Sequence, residues 1–320
     1  MKRNSNVLII LALAFCTAFL ALFLRMDSKE NKPKGYVKIS VISRDTTGDT
    51  METLRQGMEQ AASDMRAEIS FITLSKRNDA QEQIRLIQRE VLNGTDAILL
   101  SAADSEELSY IAEEVSKEIP IYTVESPVAS DKVPQSAESK DWSMGRLLGE
   151  NLIYRGVFGK KILILESSMR CHNIVEREKG LLDAITGGRG EIITAAIGKT
   201  EDFKAELTEV VQIYEPDIVV ALEPYTLNAA AEALQEKKYG SPKLYGICTT
   251  SKTSQYMEEG LIEGIVVQND FNAGYLSVYQ VMKALKKTDA TIDGEIEFAL
   301  IHSYNMYSSQ NQRLLFPFVR

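Results

Sequence analysis

Two histidines among 320 residues leave little from which to build a hydrolase triad or a histidine-rich metal site. The chain carries no His-Glu-x-x-His and no Cys-x-x-Cys, the usual zinc signatures, and the polar tract "RDTTGD" after the first apolar run lacks the glycine-rich pattern ending in Gly-Lys-Ser/Thr that a phosphate loop needs. Of its three cysteines only Cys171 and Cys248 lie outside the apolar N-terminus, too few for a disulfide framework. They form either one disulfide or two half-buried thiols. Positive charge is not concentrated either: 36 Lys and Arg against 45 Asp and Glu give a net charge of -9 with the signs interspersed, unlike a nucleic-acid surface. Carboxylates are plentiful, but no motif pairs them as a glycosidase requires.

What is present is an ordinary globular composition, 44% hydrophobic and 25% charged, on a chain long enough for about two domains. The N-terminus departs from it. Residues 7–24, "VLIILALAFCTAFLALFL", form an uncharged run of 18 residues, enough to cross a hydrocarbon layer of about 30 Å as a helix. The expectation is an uncleaved single-pass anchor. A cleaved signal peptide competes with it, because Lys2 and Arg3 make a basic n-region, but nothing small and polar follows Leu24 as a peptidase site requires. A third option is lipidation of Cys16, for which bulky Phe15 is the wrong neighbour; the plain alternative is a cysteine packed in an apolar helix. Basic residues flank both ends of the run, so charge does not set its orientation. Residues 25–35 read as a polar tether.

From Tyr36 onward, short β-branched runs alternate with helical periodicity. Strands are predicted over 37–43, 68–74, 97–100, 121–124, 161–165, 191–196, 218–222, 243–247, 265–267 and 295–301. Helices are predicted over 50–65, 79–92, 105–117, 143–154, 174–185, 202–213, 227–237, 255–259 and 273–285. Buried runs linked by helices imply parallel sheets with right-handed crossovers. The stretch from Gly94 can be laid over that from Glu215, with Asp96 opposite Asp217, which suggests two similar doubly wound lobes. Ligands of such sheets sit beyond the carboxyl ends of the strands. Those ends carry the polar tracts 44–46, 101–104, 125–126, 167–172, 223–225, 248–250 and 268–270.

The stretches "KISVISRDTTGDTMETLRQGMEQAA", "VLNGTDAILLSAADSEELSYIAEEVSKEIPIYTVES", "SKDWSMGRLLGENL", "VEREKGLLDAI", "DIVVALEPYTLNAAAEAL" and "LYGICTTSKTSQYMEEGLIEGIVVQNDFNAGYLSV" follow one another over about residues 36–302. In order and spacing they resemble the type I periplasmic solute-binding proteins, the sugar-binding group related to ribose- and galactose-binding proteins and to lactose-repressor-type effector domains. The resemblance implies an α/β fold of two doubly wound parallel-sheet lobes joined by a three-crossing hinge and closing on a ligand. It divides the chain beyond the linker into 36–138 plus 270–289 as the first lobe and 139–269 plus 290–310 as the second, with a tail, 311–320; ahead of these the apolar run and the tether give 1–6 cytoplasmic, 7–24 anchor and 25–35 linker. Departures from the sugar-binding pattern are marked. Stacking aromatics after the first strand give way to Thr50 and Met51; the Asp-Arg pair after the fourth strand becomes Glu125-Ser126; an expected Arg falls at Val175, with Arg170 and His172 close by. An Asn-Asp pair becomes Glu223-Pro224, an Asp falls at Cys248, and Gln268 keeps the family residue.

The candidate ligand-binding residues are therefore Arg44, Asp45, Thr46, Ser101, Asp104, Glu125, Ser126, Trp142, Arg170, His172, Glu223, Tyr225, Cys248 and Gln268. Arg44 and Asp45 either orient a ligand or form a solvated ion pair. Tyr225 either stacks on a sugar or caps the lobe interface, and Trp142 either lines the cleft or packs at a helix start. His302 reads as structural. No catalytic set, metal site or cofactor is expected. The reading is a membrane-anchored extracytoplasmic protein that binds a sugar or polyol and serves an ABC permease or a membrane sensor kinase. A sugar-acting enzyme and a transcriptional-regulator effector domain are the alternatives, the second opposed by the apolar N-terminus. In the C-terminal stretch, Leu314, Leu315, Phe316 and Phe318 either dock on a lobe or meet a partner.

Overall fold

The computed structural model describes residues 36–137, 139–187, 190–198, 202–235, 242–248, 250–289, 291–292 and 294–316. The predicted anchor 7–24, Cys16, the tether and Phe318 lie outside them. Among the described residues no helix is long and apolar enough to cross a membrane.

Two sheets organise the chain. The first has strand order β2-β1-β3-β4, from β1 (Val37–Ile42), β2 (Ala67–Ile72), β3 (Ala97–Leu100) and β4 (Ile121–Thr123). Its helices are α1 (Glu52–Met65), α2 (Ala80–Leu92) and α3 (Ser109–Ser116). The second has order β10-β9-β8-β7-β5-β6, from β5 (Lys161–Glu166), β6 (Glu191–Ala196), β7 (Ile218–Ala221), β8 (Lys243–Ile247), β9 (Ile262–Gln268) and β10 (Phe298–His302). Its helices are α4 (Asp141–Tyr154), α5 (His172–Ile185), α6 (Phe203–Tyr214), α7 (Pro224–Gln235), α8 (Ser251–Glu258) and α10 (Ser309–Leu315). α9 (Asp270–Ala284) follows β9 but packs on α1, and the chain then returns to add β10 antiparallel to β9. The path thus crosses between the two sheets three times.

The strands form where β-branched and leucine residues run together; central strands such as β3 and β7 are buried on both faces, whereas the edge strands β2 and β6 leave side chains such as Glu68 and Thr194 exposed. In the second sheet Leu163, Leu165, Val219 and Ala221 point toward one core with Phe203, Leu207 and Leu227. Ile162, Ile164, Ile218 and Val220 point toward another with Leu148, Leu152 and Leu181. That period of two is the strand signature, and helices on both sides account for the absence of a polar face. His302 is buried, its Nδ1 lying 2.9 Å from the Glu263 carbonyl oxygen, in keeping with a structural role.

The two halves repeat each other in detail. Asp96 accepts a hydrogen bond from the Lys38 backbone N–H at 2.8 Å, and Asp217 accepts one from the Lys161 N–H at 2.9 Å, each carboxylate tying the start of one strand to the loop before its neighbour. Each half also has a helix pair held at close approach by glycine. A Cβ on Gly57 or Gly274 would stand 1.9–2.0 Å from a backbone oxygen across the α1–α9 contact, and Gly145 and Gly180 do the same between α4 and α5.

Several predicted boundaries shift and one helix is new. α3 starts at Ser109 rather than Ser105, because the Asp104 carboxylate accepts from the N–H groups of Glu106 and Glu107 and the Ser105 N–H is bound to the Arg170 carbonyl. β9 is longer than its apolar run, since β10 pairs along it from Gly264 to Gln268. α10 falls in the unassigned C-terminal stretch: Ser308 caps it, and Leu314 and Leu315 enter the core of the second half.

Candidate ligand-binding site

The carboxyl ends of both sheets meet at a cleft, and the loops there are fixed by buried polar side chains. Gln83 is fully buried and donates to the carbonyls of Ser43 and Ser101 at 2.9 and 2.8 Å while accepting from the Ala103 N–H at 2.9 Å. It stitches the ends of β1 and β3 together. In the second half Arg177 of α5 donates to the Leu222 carbonyl at 2.9 Å and pairs with Asp141 at 2.8 Å, tying β7 to α4 and α5. Asn269 caps α9 by accepting from the Asn272 N–H at 3.0 Å.

One ionic cluster spans the cleft. Arg44, after β1, places Nη2 2.7 Å from Glu223 Oε2. Arg77, after β2, reaches the same oxygen at 2.6 Å and Asp45 at 2.7 Å. Glu223, fully buried, also accepts from Ser167 and Ser168, the latter at 2.8 Å. Burial opposes its ionisation, but Arg77 and Arg44 outweigh that and hold its carboxyl far below the usual carboxylate range. Asn78 extends the clasp, accepting from Arg44 at 3.0 Å and donating to Ser168 at 2.8 Å. Further along, Arg170 pairs with Asp104 at 3.0 Å and the His172 N–H donates to Ser105 Oγ at 3.0 Å.

Behind this cluster lies an inner cavity of about 30 Å³, lined by Arg44, Thr50, Glu125, Met144, Asn173, Arg177, Pro224, Ile247, Cys248, Val266, Gln268 and Asp270. That is room for about one water molecule and too little for a sugar. An outer groove of about 430 Å³, lined among others by Asp45, Thr46, Asp202, Tyr225, Asn228 and Lys252, shares Thr50 with the cavity. Three groups make the cavity chemically distinctive. Asn173 is 3% exposed and its Oδ1 has no hydrogen-bond partner. Glu125 sits at φ 59°, a backbone conformation that costs energy for a residue with a side chain and recurs at ligand sites. Burial, with nearby Asp270, pushes its carboxyl up to about 8. Cys248 has its thiol 2.9 Å from Thr253 Oγ1, and burial pushes it up to about 12.

Of the fourteen candidates read from the sequence, Arg44, Glu125, Cys248 and Gln268 line the inner cavity. Asp45 and Glu223 belong to the clasp, where neither Arg44 nor Asp45 is solvated, at 5% and 7% exposure. Asp104 and Arg170 form a second tie across the cleft. Thr46 and Tyr225 face the outer groove, and one face of the Tyr225 ring lies under the Arg77 guanidinium, its centroid 4.3 Å from the guanidinium carbon. Four candidates are placed elsewhere. Ser101 is buried at the end of β3, and Ser126 donates to the Ala102 carbonyl. Trp142 packs outside, donating to Asp183 at 2.9 Å beneath Arg146, and the His172 side chain is exposed. Cys171 and Cys248 are both free thiols.

Asn173 and Arg177 were missed as cavity residues, and Arg77 and Asn78 as its clasp, whereas Asp270 lies in the predicted strand-end tract 268–270 without having been singled out. The arginine expected at Val175 is not there, but Arg177, two residues later, lines the cavity. Its signal was present: Arg177 falls on the same helical face as Ile174 and Leu181, a charge where periodicity calls for an apolar side chain.

Known proteins bear on this arrangement. The sequence profile described as "Periplasmic binding protein domain" matches residues 39–289. The D-ribose/D-allose-binding protein of Pseudomonas aeruginosa is 22% identical over 304 residues, covering 89% of this chain and 92% of its own. Among solved structures, a carbohydrate transporter solute-binding protein from Agrobacterium radiobacter in complex with D-arabinose superposes with a TM-score of 0.78 at 19% identity, over 88% of this chain and 99% of that one. The XylFII–LytSN complex contributes a chain with a TM-score of 0.74 at 17% identity, over 84% and 98%.

Proposed function

Since the chain belongs to the periplasmic binding protein domain family, we propose that it is an extracytoplasmic solute-binding protein whose two lobes close on a small polyhydroxylated ligand. The observation that carries this is the inner cavity at the strand ends, where Asn173 Oδ1 is buried without a partner among walls that mix hydrogen-bonding and apolar groups. A hydroxyl-rich ligand supplies the missing donor. The relatives named for ribose, allose and arabinose support a carbohydrate, and their being binding proteins supports binding without turnover.

Residues 7–24 hold the domain to the membrane in this reading, with the soluble part outside the cytoplasm. A fixed anchor limits diffusion and favours a resident membrane partner, a sensor kinase before an ABC permease. A relative that forms a complex with a second protein supports the first choice.

The test is a thermal-shift screen of pentoses, hexoses and polyols on the full chain in mild detergent, followed by product analysis of any stabilising sugar. Stabilisation without product is expected. Turnover moves the protein to the sugar-acting enzymes, and protection of the domain from protease on intact cells removes the extracytoplasmic placement.

A further inference from the structure

The space at the strand ends comes in two unequal parts, and neighbouring residues divide between them. Arg44 lines the inner cavity and Asp45 the outer groove; Pro224 lines the first and Tyr225 the second. The clasp stands between, since Arg77 binds both Asp45 and Glu223 and covers one face of Tyr225. Thr50 lines both parts. Inside, in about 30 Å³, the Asn173 acceptor lacks a donor. Outside, about 430 Å³ falls within the roughly 300–1,000 Å³ of small-molecule pockets. Both lobes wall the groove, the first through Thr46 and Thr47 after β1, the second through Tyr225, Asn228 and Glu232, which recur along one side of α7. Its charges balance. Asp45 is paired with Arg77 and Glu232 with Lys252, while Lys204 and Asp202 add one charge of each sign. Thr46 and Thr47 are exposed, Tyr225 is 40% exposed, and their three hydroxyls make no hydrogen bond among the described residues. Groups that both donate and accept, without net charge, suit a neutral hydroxyl-bearing ligand.

We infer that the outer groove is a second carbohydrate subsite, so that the ligand is a neutral oligosaccharide of at least two units, the inner unit donating to Asn173 Oδ1 and the outer one bonded by Thr46, Thr47 and the Tyr225 hydroxyl. This rests on the carbohydrate-binding reading above and narrows it. A single ring answers either the orphan acceptor inside or the free hydroxyls outside; two linked rings answer both, with the link passing Thr50. The inner unit enters when Arg77 leaves the gap between Asp45 and Glu223. Glu223 then still holds Arg44 at 2.7 Å and accepts from Ser167 and Ser168, so its buried charge stays compensated. The exposed part of Tyr225, set edge-on to Phe203 with centroids 5.9 Å apart, gives the CH groups of the outer ring an apolar surface.

The experiment is isothermal titration of the full chain in mild detergent with matched sets: maltose and cellobiose against glucose, xylobiose against xylose, and β-1,4-galactobiose against galactose. We expect the disaccharide of at least one set to bind about tenfold or more tightly than its monosaccharide. The double variant Thr46→Ala with Thr47→Ala, and separately Tyr225→Phe, should each weaken that disaccharide by about fivefold, the worth of one net hydrogen bond. None of these hydroxyls has a partner to lose, and Tyr225→Phe keeps the ring beneath Arg77, so the melting temperature should stay that of the parent. Monosaccharides binding as tightly as the disaccharides, or variants that keep the full preference, overturn the inference and leave the carbohydrate reading standing. Binding by none of the sugars overturns both.

Discussion

Arg44 Nη2 and Glu223 Oε2 stand 2.7 Å apart across two sheets that share no strand, and Arg77 reaches the same oxygen from the side. Two arginines thus converge on one fully buried carboxylate, so that removing it leaves both without their shared partner. Breaking a buried pair from one side costs about 3–5 kcal/mol while the site stays dry. Parting the lobes lets water reach the arginines and relieves that cost. Glu223→Ala should therefore shift the unliganded protein toward an open form, seen as a larger radius of gyration in small-angle scattering. An unchanged radius would count against the clasp.

Glu125 sets a pH dependence of definite sign. Its carboxyl is raised to about 8 in the folded chain, against about 4.3 for an ordinary glutamate, so the folded state holds the extra proton between those values. The stability it contributes is complete below about pH 4.3 and is lost as pH rises through 8. Glu223 works oppositely, its contribution disappearing only in acid as pH falls below the carboxylate range. His302, lowered by burial, also opposes Glu125 near neutrality, so the isolating measurement is a difference. The melting temperature of Glu125→Gln relative to the unsubstituted chain should be lowest near pH 5 and rise to pH 8.5, by about 2–4 °C for each kcal/mol. A flat difference would remove Glu125 as the responsible group.

The glycine contacts give a sharper packing prediction. A methyl on Gly180 would stand 1.9 Å from the Trp142 carbonyl oxygen, and one on Gly57 the same distance from that of Phe271. Neither obstacle is a side chain that can turn away. Gly180→Ala and Gly57→Ala should each cost about 1–3 kcal/mol in urea unfolding, toward the upper end because whole helices must separate. Gly187→Ala meets nothing within 4 Å and is the control, expected within about 0.5 kcal/mol of the parent.

The architecture was legible because it rests on local pattern. Runs such as Ile162–Leu165 and Ile218–Val220 have a strand's composition, and the Asp96–Asp217 correspondence survives as two matching hydrogen bonds to Lys38 and Lys161. The site was legible only as far as strand ends locate it. Glu125 and Gln268 follow from position alone, but Arg77 and Asn78 lie past the end of β2, a strand whose end was not counted among the ligand loops. Which residues face the cavity depends on how two sheets close on each other, and the sequence periodicity of either sheet carries no record of that. Trp142 illustrates the converse: a lone tryptophan near a crossing draws attention, yet its indole N–H is satisfied by Asp183 on the outside.

Cys171 and Cys248, the free thiols among the described residues, report on closure. Cys171, at the start of α5, places Sγ 3.3 Å from the Ala103 carbonyl oxygen and 3.6 Å from that of Ala102, both on the loop after β3. Its shielding thus depends on the lobes being together, and burial also raises the thiol above its ordinary range, which lowers the reactive thiolate fraction. Cys248 is shielded within the second half beside Thr253. Alkylation with iodoacetamide at pH 8, mapped by mass spectrometry of the Cys171 and Cys248 peptides, should be slow at both sites in the parent. In Glu223→Ala the Cys171 rate should rise about tenfold, in step with the change in radius, and a closing ligand should slow it in the parent. If Cys171 stays unreactive while the radius grows, the lobes part by a motion that keeps the β3 loop against α5, and the hinge then lies on that side of the cleft.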